Sequence, residues 1–369
     1  MYIFFTTIAT ILQTLFLVYF RNEEKVLAFS ITSILFFVFS ITGILVGVLY
    51  FEAGALGSIV GRFAGTVPVA LVLLIYFISK WKRLYFELRY LQITLNYTLQ
   101  LIPYLILLFL YNNIDKIMVE QSFGDDSLGQ LGKYNLAFQI GTAIQVLLYS
   151  IFNSLSPQVY KSLQSKEEGS FEYVLKLYKV FHMFVMAVIV IMIACSSLIF
   201  NVFIDEKFHD GIEYLGILSL IYIPQLYYVL YTITLFYNKL TRVLPYISLT
   251  ALIVGISLNL LLIPSYGIIG VCFATLFTKA AQFLATLFFL KRHNQLQNGF
   301  MQMKKQHIMS VSIFILYFLA FLAHSHPSMK EVLSINVVNL LPILLFIIFS
   351  LTLFKKEIRM TPLLFKKAL

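Results

Sequence analysis

Long apolar runs alternate with short polar connectors from one end of the chain to the other. Crossing about 30 Å of hydrocarbon takes a helix of roughly 20 residues. Eleven runs come near or exceed that length: 2–20, 27–50, 56–79, 95–119, 134–156, 174–200, 212–237, 243–263, 266–290, 307–323 and 333–354. The pattern predicts an all-α, polytopic bundle of eleven transmembrane helices. The connectors are too short to hold a soluble domain, so an extramembrane catalytic domain is not expected.

The connectors differ in sign. Lys and Arg in short loops mark the cytoplasmic side. Alternate connectors are basic: Arg21 and Lys25; Lys80, Lys82, Arg83 and Arg89; Lys161, Lys166, Lys176 and Lys179; Lys239 and Arg242; Lys291, Arg292, Lys304 and Lys305; and the tail with Lys355, Lys356, Arg359, Lys366 and Lys367. The intervening ones are acidic, with Glu52, then Glu120, Asp125 and Asp126, then Asp205, Glu206, Asp210 and Glu213. The alternation puts the C-terminus in the cytoplasm and, with an odd number of spans, Met1 outside. The first twenty residues have no basic start and no small-residue cleavage site, so a removable signal peptide is not expected.

Composition agrees. The 369 residues are 60% apolar and 12% charged, with a mean hydropathy of +0.88. Soluble domains carry ~25% charged residues, so a soluble enzyme or a nucleic-acid-binding protein is excluded. The net charge of +10 sits mostly in the inner loops and tail and reports orientation rather than a polyanion partner. Cys195 and Cys272 lie inside apolar runs and read as small buried hydrophobes, not as a disulfide.

An internal repeat is visible. Gly54 and Gly57 recur as Gly267 and Gly270 at one offset of 213 residues, which also lays run 2–20 on 215–233 and the basic loop 21–25 beside 238–242. Parallel repeats are a known transporter design. Runs 95–119, 134–156 and 174–200 have no upstream partners. The repeat therefore predicts three further spans, roughly 110 residues, ahead of Met1. Fourteen spans would also bring the N-terminus inside.

The stretch with Asn113, Asp115 and Lys116, Gly124, Gly132, Tyr134 and Ala137, then Ser156, Pro157 and Tyr160, resembles the middle of polysaccharide-export flippases. So does Leu258 and Asn259 through Pro264, Tyr266 and Gly267 to Gly270. These are the O-antigen (Wzx-type) flippases of the multidrug/oligosaccharidyl-lipid/polysaccharide superfamily, and the resemblance covers the fourth to fourteenth spans of that family. It implies two pseudo-symmetric lobes around a central cavity. On this division 1–79 is a partial N-terminal lobe, 80–94 a cytoplasmic linker, 95–290 the C-terminal lobe, 291–306 a cytoplasmic loop, 307–354 two extra spans and 355–369 the basic tail. The implied activity is transfer of undecaprenyl-diphosphate-linked oligosaccharide from the inner to the outer leaflet of the bacterial cytoplasmic membrane.

Such cargo asks for cations and polar groups in a watery cavity, and ionisable residues inside spans suggest function. Arg62 lies two turns inside run 56–79. Lys279 lies in mid-run 266–290, where the offset matches it to Thr66, four residues from Arg62 and on the same helical face. Both are candidates for attracting the diphosphate, Arg through its fork and Lys as a point charge. Asn96, Gln100, Tyr104, Tyr111 and Asp115 form one helical face, and Gln139, Thr142, Tyr149 and Asn153 another. These two stripes are the candidate sugar-binding wall; the alternative reading is interhelical hydrogen bonding. Asp115 is also a candidate to pair with Arg62, to gate the outer mouth or to bind a coupling proton or cation. Pro68 and Pro103 should kink their helices. His182 reads as a satisfied or interfacial histidine, and the loop pair His324 and His326 lacks further metal ligands.

No cofactor is expected, and the coupling ion, proton or sodium, is open. Gly129, Gly132 and Lys133 have the wrong spacing for a phosphate loop. The expected partners are the lipid-linked glycan and other polysaccharide-assembly proteins, with no nucleic acid. The rival readings are a drug/cation antiporter, which calls for deep acidic residues, an inactive remnant of the flippase, and a membrane O-antigen polymerase, which calls for a large outer loop. A transporter, not an enzyme, fits best.

Overall fold

A computed structural model describes residues 1–23, 25–80, 87–165, 170–293, 303–325 and 334–352. Lys82, Arg83, Lys166, His326 and the tail 355–369 lie outside the described residues. Among the described residues there is no strand. The helices are α1 (Tyr2–Asn22), α2 (Val26–Leu45), α3 (Gly54–Lys80), α4 (Leu88–Ser122), α5 (Ser127–Ser165), α6 (Ser170–Ala194), α7 (Ser196–Phe203), α8 (Gly211–Leu220), α9 (Tyr222–Tyr237), α10 (Leu244–Arg292), α11 (Lys304–Ser325) and α12 (Ile335–Thr352). Ten helical segments among the described residues are long and apolar enough to cross a membrane. The chain is an all-α, polytopic membrane bundle.

The eleven apolar runs fall on ten such segments because 243–263 and 266–290 belong to one element. Its 49 residues would measure about 74 Å as a straight helix at 1.5 Å per residue, far more than one bilayer. The element is broken at Gly267, where φ is 55° and ψ is −135°, three residues after Pro264. Only glycine tolerates that backbone region without strain. A Cβ at Gly270 would lie 2.4 Å from the Leu262 carbonyl oxygen, so the two limbs meet closely just past the break.

The residues form two compact units, Met1–Leu91 and Gln92–Leu369. In the first, α2 passes through a π-helical turn, Val46–Tyr50, and the chain reverses through Glu52 and Gly54, both at positive φ, into α3. Glycines on the two helices then face one another. A Cβ at Gly61 would stand 2.0 Å from the Gly43 carbonyl oxygen, and one at Gly57 would stand 2.1 Å from that of Gly47. Lipid gives helices no hydrophobic reason to associate, so small residues that bring backbones together supply the packing. α1 joins through aromatic rings: Phe16 stacks on Phe77 at 4.4 Å between centroids, with Tyr19 edge-on at 5.0 Å. At the α1–α2 turn exposed Lys25 pairs with Glu23 at 3.0 Å, and this hydrogen bond raises the Lys25 ammonium above its ordinary range.

The second unit is built around α8 and α9, the least exposed segment of all. Against it pack α5 (Ala137, Ile144, Leu148), α6 (Val185, Met186, Ile189) and the second limb of α10 (Val271, Leu276). The helices α11 and α12 close over α6 through Met309, Ile313, Tyr317 and Val338. Large apolar side chains such as Val146, Phe184, Leu198, Ile253 and Phe288 point outward, as lipid-facing residues should.

Candidate functional site

The second unit carries a polar interior between α4, α5 and α10. On α4, Tyr111 and Asp115 lie one turn apart and both are buried. On α10, Thr275, Lys279, Gln282 and Thr286 follow at spacings of four, three and four, a single helical face, and all four are buried. From α5, Tyr134 enters from the side.

These groups are joined directly. Lys279 Nζ donates to Tyr111 Oη at 2.5 Å and to Asn112 Oδ1 at 3.1 Å. The ammonium also sits 4.4 Å from the centroid of the Tyr111 ring, a cation–π contact. Tyr111 Oη donates onward to Gln282 Oε1 at 2.9 Å. Asp115 accepts from Tyr134 Oη and, at 2.9 Å, from the Lys116 amide. Tyr134 Oη reaches Thr275 Oγ1 at 3.4 Å. A buried charge is tolerable only when hydrogen bonds replace its water. Here each charge has them, Lys279 from neutral groups and Asp115 from a phenol and an amide. A cavity of about 20 Å³ lies among Tyr111, Asn112, Asp115, Asn259, Thr275 and Lys279. That is room for one water.

The other candidates sit differently. Gln139, Tyr149 and Asn153 are exposed, Tyr149 at 47%, while the opposite face of α5 is buried against the core. Thr142 is half-buried and donates to the Gln139 carbonyl at 2.5 Å. Tyr104 is half-buried and packs against the α9 residues Tyr228 and Val229. The side chains of Asn96 and Gln100 lie outside the described residues. Arg62, in the first unit, is exposed, and its carbonyl accepts from Thr66 Oγ1 at 2.8 Å. At the offset of 213, Lys279 matches Thr66 and both are buried, whereas exposed Arg62 matches buried Thr275.

Sequence reasoning passed over Gln282, Thr286, Thr275, Asn112 and Asn259. The four-three-four spacing along α10 was the available signal. It is easily missed because Thr in a membrane helix commonly bonds its own backbone, as Thr275, Thr278 and Thr286 do here. His182 is buried and meets Tyr227 Oη and Ser310 Oγ, each at 2.9 Å, which ties α6, α9 and α11 together. His324 is not in a loop. It is the buried penultimate residue of α11, 3.7 Å from Glu213 at the start of α8.

The two glycine pairs of the repeat share a backbone geometry. Gly54 and Gly267 have φ of 53° and 55°. At both Gly57 and Gly270 a Cβ would strike the carbonyl oxygen of the preceding helical limb. Among curated proteins no match to the chain is found. The family model described as "Polysaccharide biosynthesis protein" does match, over residues 1–162, a stretch that runs from α1 through α4 and almost the whole of α5.

Proposed function

We propose that this protein is a flippase that carries an undecaprenyl-diphosphate-linked oligosaccharide, an O-antigen or capsule unit, across the bacterial cytoplasmic membrane by alternating access. The observation that carries the reading is Lys279, a cation buried at membrane depth among hydroxyl, amide and phenol groups. A buried ammonium suits a cargo with acidic oxygens, and the surrounding Tyr, Asn and Gln suit sugar hydroxyls. The match to a polysaccharide-biosynthesis family points the same way. On this reading Arg62 and the exposed α5 residues Gln139, Tyr149 and Asn153 are further cargo contacts. Asp115 binds the coupling ion, the C-terminus is cytoplasmic, and the protein works as a transporter beside other polysaccharide-assembly proteins, without a catalytic step.

The test is complementation of a bacterium lacking its own flippase. The chain should restore surface polysaccharide. The double variant Arg62→Gln/Lys279→Met should restore little at an equal membrane level, and normal export by that variant would sink the proposal. The buried carboxylate of Asp115 favours one second reading, a drug/cation antiporter. That reading expects altered resistance to cationic drugs, lost in Asp115→Asn, with no effect on surface polysaccharide.

A further inference from the structure

Between α4 and α10 the Tyr111 phenol makes two bonds, beside the one from Lys279 to Asn112. Tyr111 accepts from Lys279, donates to Gln282 and lays its ring over the ammonium. Two buried polar atoms of α10 have no partner: the Nε2 donor of Gln282, whose Oε1 holds Tyr111, and the Oδ1 acceptor of Asn259, which lines the cavity beside Lys279. Unpaired buried polar atoms are rare in native structures and call for an explanation. The cavity beside Lys279 admits a single water, which fits one of these atoms but leaves nothing the size of a sugar a place.

We propose that the α10 face of Thr275, Lys279, Gln282 and Thr286 is a binding surface for an anionic, hydroxyl-rich headgroup, and that Tyr111 is its latch. In the latched state every direct partner of Lys279 is neutral, because the nearby Asp115 gives its oxygens to Tyr134 and the Lys116 amide. A hydrogen bond from an ammonium to an anionic oxygen is roughly twice as strong as one to a neutral group. An acidic ligand oxygen therefore displaces the phenol where water does not. The ligand's hydroxyls then serve both orphan atoms, since a hydroxyl donates to Asn259 and accepts from Gln282. The ligand class rests on the flippase reading; the latch does not.

The test reads water access, not export. In a chain carrying Cys195→Ser and Cys272→Ala, reporter thiols are introduced by Thr286→Cys or, separately, Thr278→Cys. Their rates of reaction with N-ethylmaleimide are measured in membrane vesicles. Slow labelling is expected with Tyr111 present and about tenfold faster labelling with Tyr111→Phe. In the Tyr111→Phe background, vesicles containing undecaprenyl diphosphate should slow the reaction again, and the added change Lys279→Met should abolish that protection. Equal labelling with and without the Tyr111 hydroxyl, at both reporters, overturns the latch. Faster labelling without Lys279-dependent protection overturns the anion surface. Either failure leaves the export assay to decide the flippase reading on its own.

Discussion

Asp115 and Lys279 share one interior, and their neighbours fix what each change should do. Asp115→Asn keeps an acceptor for Tyr134. Asp115→Leu leaves that phenol only the long contact to Thr275 at 3.4 Å and should cost about 1–3 kcal/mol. The purified protein in detergent should melt lower with Leu than with Asn, and equal melting would show that the Tyr134 bond contributes nothing. Both charges could be picked out of the sequence, because an ionisable residue in an apolar run is conspicuous. Tyr134 stands out only as part of the family resemblance, because nothing in its neighbours Lys133 and Asn135 says that its hydroxyl reaches a carboxylate on another helix. The repeat pairs exposed Arg62 with buried Thr275, and buried Lys279 with buried Thr66, so an aligned position does not by itself fix its surroundings.

At the scale of elements, glycines decide where helices meet and turn. Adding a methyl at Gly61 puts it 2.0 Å from a backbone oxygen of α2, which no side-chain movement relieves. Gly61→Ala should cost about 1–3 kcal/mol, the range for overpacking a tight interface. Gly54→Ala meets open space, and its cost should be only the roughly 1–2 kcal/mol of holding an L-residue at φ 53°. Membrane levels and melting temperatures of the two variants should rank Gly61→Ala as the more damaging, and the reverse order would contradict the packing account. The long apolar runs made the helices legible because hydrocarbon leaves no alternative to them. The Gly43, Gly47, Gly57, Gly61 contact was not legible, since glycine is frequent in membrane helices whether or not another backbone approaches. The boundary between runs 243–263 and 266–290 was legible from Pro264 and Gly267, and the two limbs of α10 do break there, at the reversed residue Gly267.

For the whole molecule, charge alternation predicts topology. A thiol introduced by Lys207→Cys, between α7 and α8, should react with a membrane-impermeant reagent applied to intact spheroplasts. One introduced by Arg242→Cys, between α9 and α10, should react only after permeabilisation. Both positions are exposed, so the opposite pattern would invert the assigned orientation rather than report burial. The central claim, that a buried cation serves an anionic lipid-linked glycan, is tested most directly by surface polysaccharide in a flippase-deficient strain at matched membrane levels. The account predicts that the chain restores the polymer, that Lys279→Met lowers it about tenfold, equivalent to about 1.4 kcal/mol, and that Lys279→Arg recovers part of the loss. Full export by Lys279→Met together with Arg62→Gln would contradict it.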